Sequence, residues 1–367
     1  MSIRLVDAGT VPYLRSQTVY HGVAQASTNA TANTIILVVP EEPYVCIGLH
    51  QELEKEVDLD FCKTSNIPIV RREVGGGAVY LDSGQVFTQW IFHRDNLPMR
   101  LERRFELFAR PLVETYKALG IHAYFRPIND IQVRGRKIGG TGAGAIGNGE
   151  VLVGSFMFDF DFELMSKVLN VPDEKFRDKI YQSLQEYMTT MKRELGAVPT
   201  YDMVKNIYIQ KCEDVLGDEI FEGKFTEPEL SAMDEYDSKF TSEDWLYQKG
   251  GLLRTGVKIH NDVWVYETSY KAEGGLISAT VRLRDSRIDD ISFAGDFTFQ
   301  PHEVLSDLEK ALVNCSINSD SLSTIVKNFY ATAAVQSPGL APQDWVAAIM
   351  KVTELVTQGA ETRVEVA

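Results

Sequence analysis

The chain has 367 residues, 44% hydrophobic and 24% charged, with a formal net charge of −15. Long-range repulsion of that sign excludes a general nucleic-acid coat or a protein of anionic membrane surfaces. No run approaches the ~20 consecutive apolar residues of a membrane helix. The first ten residues, MSIRLVDAGT, lack the layout of a secretory signal, so the expected location is the cytoplasm. Cys46, Cys62, Cys212 and Cys315 are widely spaced and read as reduced thiols, neither a disulfide framework nor a zinc site. The histidines show no ligand spacing. A chain of this length is expected to divide into a larger and a smaller domain.

In chain order, the β-branched run Thr34 to Val39 and the run Tyr44 to Ile47, separated by a proline-marked turn, predict two strands. Ile67 to Val74 and Val86 to Phe92 predict two more, on either side of Gly75-Gly76-Gly77. Leu101, Phe105, Phe108, Leu112, Tyr116 and Leu119 recur at helical spacing, with Pro111 expected to kink the helix or mark a start. Strand character resumes at Asp130 to Val133 and from Lys137, around Arg134-Gly135-Arg136, and Asn148-Gly149 marks a hairpin before Val151 to Phe160. Helices are expected from Phe162 to about Gly217. The acidic stretch Phe221 to Asp244 reads as a long loop or connecting arm, with a domain boundary there. Gly250-Gly251 then opens a smaller unit: strands at Val263 to Tyr270, Leu276 to Arg284 and Ile288 to Phe293, followed by helices at Pro301 to Val313, Ser321 to Thr332 and Gln343 to Thr357.

Two segments carry chemistry. In RREVGGGAVYLD (71–82) the glycines let backbone amides approach an anion closely, and Arg71 and Arg72 supply fork-shaped donors for the same group. Further arginines at 100, 103, 104, 110, 134 and 136 concentrate positive charge in this third of the chain. In NDIQVRGRKIGGTG (129–142) a lysine that opens a strand before glycines can project its ammonium into a cleft and offset charge on a phosphate and a carboxylate together. Neither segment is a GxxxxGK[ST] or GxGxxG fingerprint.

The order and separation of these segments, with GQVF (84–87) between them, resemble the lipoate-protein ligases, whose relatives are the octanoyl transferases and biotin ligases. The stretch KAEGGLISATVRLRDSRIDDISFAGDFTFQPHEVLSDLEKALV (271–313) is similar to their accessory C-terminal domain. The resemblance implies an α+β fold: a biotin/lipoate ligase-like catalytic domain over 1–245, with mixed sheets flanked by helices, and a small α+β accessory domain over 246–367. It implies activation of lipoate by ATP, with Mg²⁺, to lipoyl-AMP, followed by transfer to a lysine of an acceptor. That acceptor would carry a lipoyl domain, as in a glycine cleavage H-protein, a 2-oxoacid dehydrogenase E2 or a related carrier. By the same resemblance Lys137 contacts both the acyl carboxyl and the α-phosphate and is the catalytic residue. Arg72 meets the nucleotide, Gly75 and Gly76 shape the tunnel entrance, and Gly77, Ala78, Val79 and Tyr80 line the ATP and adenylate site. Asn129 and Asp130 lie beside the adenylate, with Asp130 as a magnesium ligand, while Val45, Ile47 and Val74 line an acyl channel.

The sequence departs from the family pattern at Leu81, where histidine is usual, at Gln85 for asparagine, and at Leu152-Val153-Gly154-Ser155 for His-His-Gly-Thr. Three other functions compete. An ATP-independent octanoyl or lipoyl transferase would need a cysteine near the lysine loop, where there is none. Biotin attachment would need a different glycine-arginine segment, and a non-catalytic lipoyl-domain binder would show binding without ATP to pyrophosphate exchange.

Overall fold

The structure is a computed structural model that describes residues 2–248, 257–260, 263–284 and 287–364. The chain divides into two compact units, one of Met1–Leu49, Leu53–Val74 and Ala78–Gln248, the other of His50–Glu52, Gly75–Gly77 and Lys249–Ala367. Gly250-Gly251 lies outside the described residues.

The first unit is built on eleven strands: β1 (Ile3–Val11), β2 (Thr34–Pro40), β3 (Tyr44–Ile47), β4 (Ile69–Arg71), β5 (Val79–Leu81), β6 (Gln85–Phe92), β7 (Tyr124–Arg126), β8 (Asp130–Val133), β9 (Arg136–Ile146), β10 (Gly149–Met157) and β11 (Ile220–Glu222). Eight of them form a mixed sheet in the order β11-β1-β2-β6-β10-β9-β8-β7, and β4-β3-β5 form a smaller one. β6 shows why the large sheet is covered on both sides, because every one of its residues is buried. Val86, Trp90 and Phe92 point to a core shared with the helices Leu101–Ala118 and Tyr201–Leu216. Phe87 and Ile91, on the opposite face, pack with the helix Tyr13–Ala26 and with Tyr44, Cys46 and Val74 of the small-sheet layer. Alternation of side chains along a strand allows both.

Three expectations are corrected here. The acidic stretch is not a loop, because β11 is followed by the helix Glu227–Phe240, which packs Met233, Tyr236 and Phe240 into the core beside Tyr13–Ala26. Glu227, Asp234 and Glu235 are exposed, while Glu229 is buried and paired with Arg4, so counting acids hid an amphipathic pattern. Glu229 Oε2 accepts from the Thr226 N–H at 2.7 Å at its start, and Arg15 pairs with Asp234 and Asp237 at 2.6 Å. The two helices close on Gly22, where a Cβ would stand 2.8 Å from the Met233 backbone nitrogen, so no larger residue fits without a shift. Pro111 lies inside the helix Leu101–Ala118 and so does not mark a helix start. The hairpin turn expected at Asn148-Gly149 lies one residue earlier, at Gly147-Asn148, since Ile146 pairs with Gly149 and Gly147 takes φ +54°.

In the second unit β12 (Val257–His260), β13 (Val263–Ala272), β14 (Gly275–Arg284) and β15 (Arg287–Gly295) form an antiparallel meander. Alternate residues of β14 are buried, which is the pattern of a sheet covered on one face. Helices Leu305–Leu312, Ser319–Thr332 and Pro342–Val364 supply the cover, with Trp345 packed edge-on against Phe293, Phe297 and Phe299. No helix of the described residues is long and apolar enough to cross a membrane.

Candidate functional site

Lys137 is set by a hairpin whose two strands do not match in length. β8 and β9 pair Ile131 with Gly139 but Gln132 with Lys137, so Ile138 is an extra residue in β9, a β-bulge. In an unbroken ladder Lys137 and Gly139 would share a face and Gly140 would point the other way. The bulge removes that parity. Lys137 Nζ lies 3.0 Å from where a Cβ of Gly140 would stand, and it pairs with Asp130 Oδ1 at 2.8 Å. Ile131, Val133 and Ile138 meanwhile go to the core.

The backbone around the lysine is held on several sides. Thr189 N–H donates to Lys137 O at 2.8 Å, and the buried Tyr116 hydroxyl donates to Ile138 O at 3.0 Å. Asn129 Nδ2 donates to Thr141 O at 3.0 Å while Thr141 N–H returns a bond to Asn129 O at 2.8 Å. Asn129, expected beside the adenylate, thus also fixes the start of the glycine run. The Lys137 side chain is 40% exposed and that of Asp130 25%. An ammonium has three donors, and Asp130 takes one of them, leaving two for a ligand.

The two arginines of the first segment are separated by strand alternation. Arg71 is wholly buried, donating to Gly48 O, Leu49 O and Leu246 O at 2.7–3.2 Å, with burial pulling its guanidinium down to about 10. It is a backbone clamp, which corrects its reading as a second anion donor. Arg72 is half-buried and donates to Cys46 O at 3.1 Å and to Cys46 Sγ at 3.6 Å. Two residues on, Val74 lies against β9, since a Cβ on Gly142 would sit 3.8 Å from Val74 Cγ2. Glu73 pairs with Lys239 from the helix Glu227–Phe240, and Lys239 lies 4.0 Å from the Trp245 ring centroid.

Gly75, Gly76 and Gly77 are half-buried and group with the second unit, Gly76 at φ +98°. Ala78 is half-buried, Val79 exposed, and Tyr80 buried with its hydroxyl on Asp82, whose carboxyl burial pushes up. The expected acyl-channel residues do not form one lining. Val45 and Ile47 pack with Leu53, Val57 and Met157, whereas Val74 packs with Tyr44, Cys46 and Phe87, the opposite face of β3. The other arginines disperse, with Arg103 and Arg110 on Glu106 and Arg104 buried on Glu150 at 2.6 Å.

Two features escaped the sequence reading. Gln89 is buried on the Phe87 and Ile91 side of β6; its Nε2 donates to Ser16 O at 2.9 Å and its Oε1 has no partner. A glutamine in a strand buried on both faces was the available signal. A cavity of about 570 Å³ opens beside Asp82, lined also by Asp159, Asp161, Glu163 and Lys192. Its carboxylates would repel a triphosphate, so it does not suit a nucleotide.

A family model described as the lipoyl protein ligase A/B catalytic domain matches residues 13–213, and one for the bacterial lipoate protein ligase C-terminus matches 264–348. The chain therefore belongs to the lipoate-protein ligases, a family of enzymes. Lipoate-protein ligase A subunit 1 of Thermoplasma acidophilum is 34% identical over 58% of this chain and 83% of its own length. Lipoate-protein ligase 2 of Staphylococcus aureus is 28% identical over 77% of this chain and 80% of its own. Among solved structures, that of the bi-partite archaeal lipoate protein ligase and its E2 lipoyl domain from T. acidophilum matches at TM-score 0.62 and 29% identity, covering 70% of this chain and all of the other.

Proposed function

We propose that the chain catalyses ATP-dependent lipoylation of a protein lysine. In the first step a lipoate carboxylate oxygen attacks the α-phosphorus of ATP, forming lipoyl-AMP and releasing pyrophosphate. In the second the amine of the acceptor lysine attacks the acyl carbon, AMP leaves, and the lysine nitrogen gives up a proton. What supports this reading is the Lys137–Asp130 pair on the bulged hairpin. Its carboxylate partner fixes the direction of the side chain through one N–H while two N–H donors stay free, enough to hold an acyl oxygen and an α-phosphate oxygen at once.

Arg72 and the segment Gly75 to Tyr80 would bind the nucleotide and the adenylate, with Asn129 and Asp130 beside them. Magnesium takes one or two carboxylates and otherwise phosphate oxygens and water. Asp130 as a lone carboxylate fits an ion carried in on the nucleotide, which would neutralise phosphate charge there; the described residues hold no cluster of three or more His, Cys, Asp or Glu for a resident metal. Residues 1–245 would form the catalytic domain and 246–367 the accessory one, working in the cytoplasm on a lipoyl domain of an E2, an H-protein or a related carrier.

Transfer through a cysteine thioester is disfavoured by the thiol beside Arg72, because burial pushes the Cys46 pKa up in spite of the guanidinium. Purified protein with ATP, Mg²⁺ and lipoate should exchange pyrophosphate into ATP and then modify an apo lipoyl domain. Acyl transfer from a carrier thioester in the absence of ATP, with no exchange, would overturn the assignment.

A further inference from the structure

The hairpin that delivers Lys137 spends a residue on something its own fold does not need. β8 turns into β9 through Arg134 and Gly135, at φ +50° and +81°, between the paired residues Val133 and Arg136. A two-residue turn with positive φ at both positions is the province of Asn, Asp and Gly. Gly135 meets the requirement, and nothing lies within 4 Å of where its Cβ would be. Arg134 is a long L side chain held in the left-handed region. It is exposed, and among the described residues it has no hydrogen bond or ion pair to offset the strain.

A second cation stands close by. Arg126 ends β7, the edge strand of the large sheet, and is register partner to Asp130, the residue that holds Lys137. It too is exposed and unpartnered among the described residues. On the same strand Tyr124, 44% exposed, lies opposite Gln132, which in turn lies opposite Lys137. From strand spacings of about 4.8 Å and a rise of about 3.3 Å per residue, all three side chains start within roughly 15 Å of the lysine.

We propose that Tyr124, Arg126 and Arg134 form a docking rim for the acidic face of the acceptor domain that carries the target lysine. The proposal rests on the lipoylation reading above. A lysine that must reach an acyl group at Lys137 brings its own domain surface down around this hairpin. With a net charge of −15 the chain repels an acidic partner everywhere except where unpaired cations face outward. Guanidinium forks grip carboxylates with defined geometry, and a tyrosine gives contact area at small entropic cost. Exposed, strained and unpaired, Arg134 is placed for a partner from outside the chain.

The test uses the full-length protein with Arg134→Asn, alone and combined with Arg126→Gln, and an apo lipoyl domain of the E2 type as probe. Asparagine suits the left-handed turn, so the melting temperature should hold or rise. Pyrophosphate exchange with lipoate should stay within about twofold, while the acceptor KM rises about five- to tenfold for the single variant and further for the double, at unchanged kcat. The salt dependence of kcat/KM for the acceptor should become shallower. Binding of the apo domain, followed by titration without ATP, should weaken in parallel, and this measurement tests the rim even if the parent protein shows no exchange. An unchanged acceptor KM and affinity in the double variant would overturn the rim. So would a rise in the KM for ATP instead, which would give the arginines to the triphosphate.

Discussion

Replacing Lys137 by methionine keeps most of the apolar stem and removes the ammonium, and the structure separates its effect on stability from its effect on chemistry. The ion pair with Asp130 is 40% and 25% exposed, so water and salt screen it and its loss costs at most about 1 kcal/mol. For a domain of this size that is a melting shift of about 2–4 °C. In the proposed reaction the two donors left for the ligand would act where charge builds in the transition state, and losing one such donor typically costs ~3 kcal/mol, or 10²–10³ in rate. Adenylate formation by Lys137→Met should therefore fall at least about a hundredfold in pyrophosphate exchange, with calorimetry close to the parent. Exchange that stays within tenfold of the parent would refute the electrostatic role, and a melting point lowered by more than about 10 °C would show the lysine to be structural.

Tyr116→Phe, which touches no proposed ligand, leaves the carbonyl of Ile138 and the N–H of Met157 without their buried partner. It should lower stability by about 1–3 kcal/mol and also reduce kcat, so unchanged kcat per folded molecule would detach Tyr116 from the lysine. Glu150→Ala strands the buried Arg104 guanidinium and should lower the unfolding free energy by about 3–5 kcal/mol in urea titrations, without altering exchange per folded molecule. His21 is buried with its ring nitrogens on Gln17 O and Glu73 N, near Glu73, Lys239 and Arg72, and burial lowers its pKa from 6.5 to about 4. The unfolded chain therefore takes up this proton first as pH falls, so stability drops between pH 6.5 and 4 by up to about 3 kcal/mol. His21→Gln should flatten that limb of the urea midpoint against pH.

The elements that could be read in advance are those in which one face decides the outcome. Thr34 to Val39 and the helix from Leu101 have enough apolar residues at one period to leave no choice, and both stand where expected. The helix Glu227–Phe240 was hidden because its buried apolar residues, Ala232, Met233, Tyr236 and Phe240, are outnumbered by acids, and acids on a solvated face carry no information about the other face. At the site, the motif gave residue identity but not direction. Nothing in Arg71-Arg72 says which guanidinium turns inward until β4 is paired with β3. The bulge was equally invisible, since a ladder slip depends on the partner strand and not on the residue that slips. Gln89 was missed for a related reason, its unmet oxygen being a property of the surroundings.

The extra residue in β9 makes the aim of the lysine a question of counting. Ile138 is gripped from the interior by its side chain and by the hydroxyl on its carbonyl, so the hairpin cannot shed the slip without pulling an anchored residue out of the core. Substitutions around Lys137 can thus tune its surroundings while it still points at Asp130. Adding one residue to either arm of the hairpin would instead turn the ammonium toward the hydrophobic layer, so chimeras exchanging this hairpin must preserve the lengths of both arms.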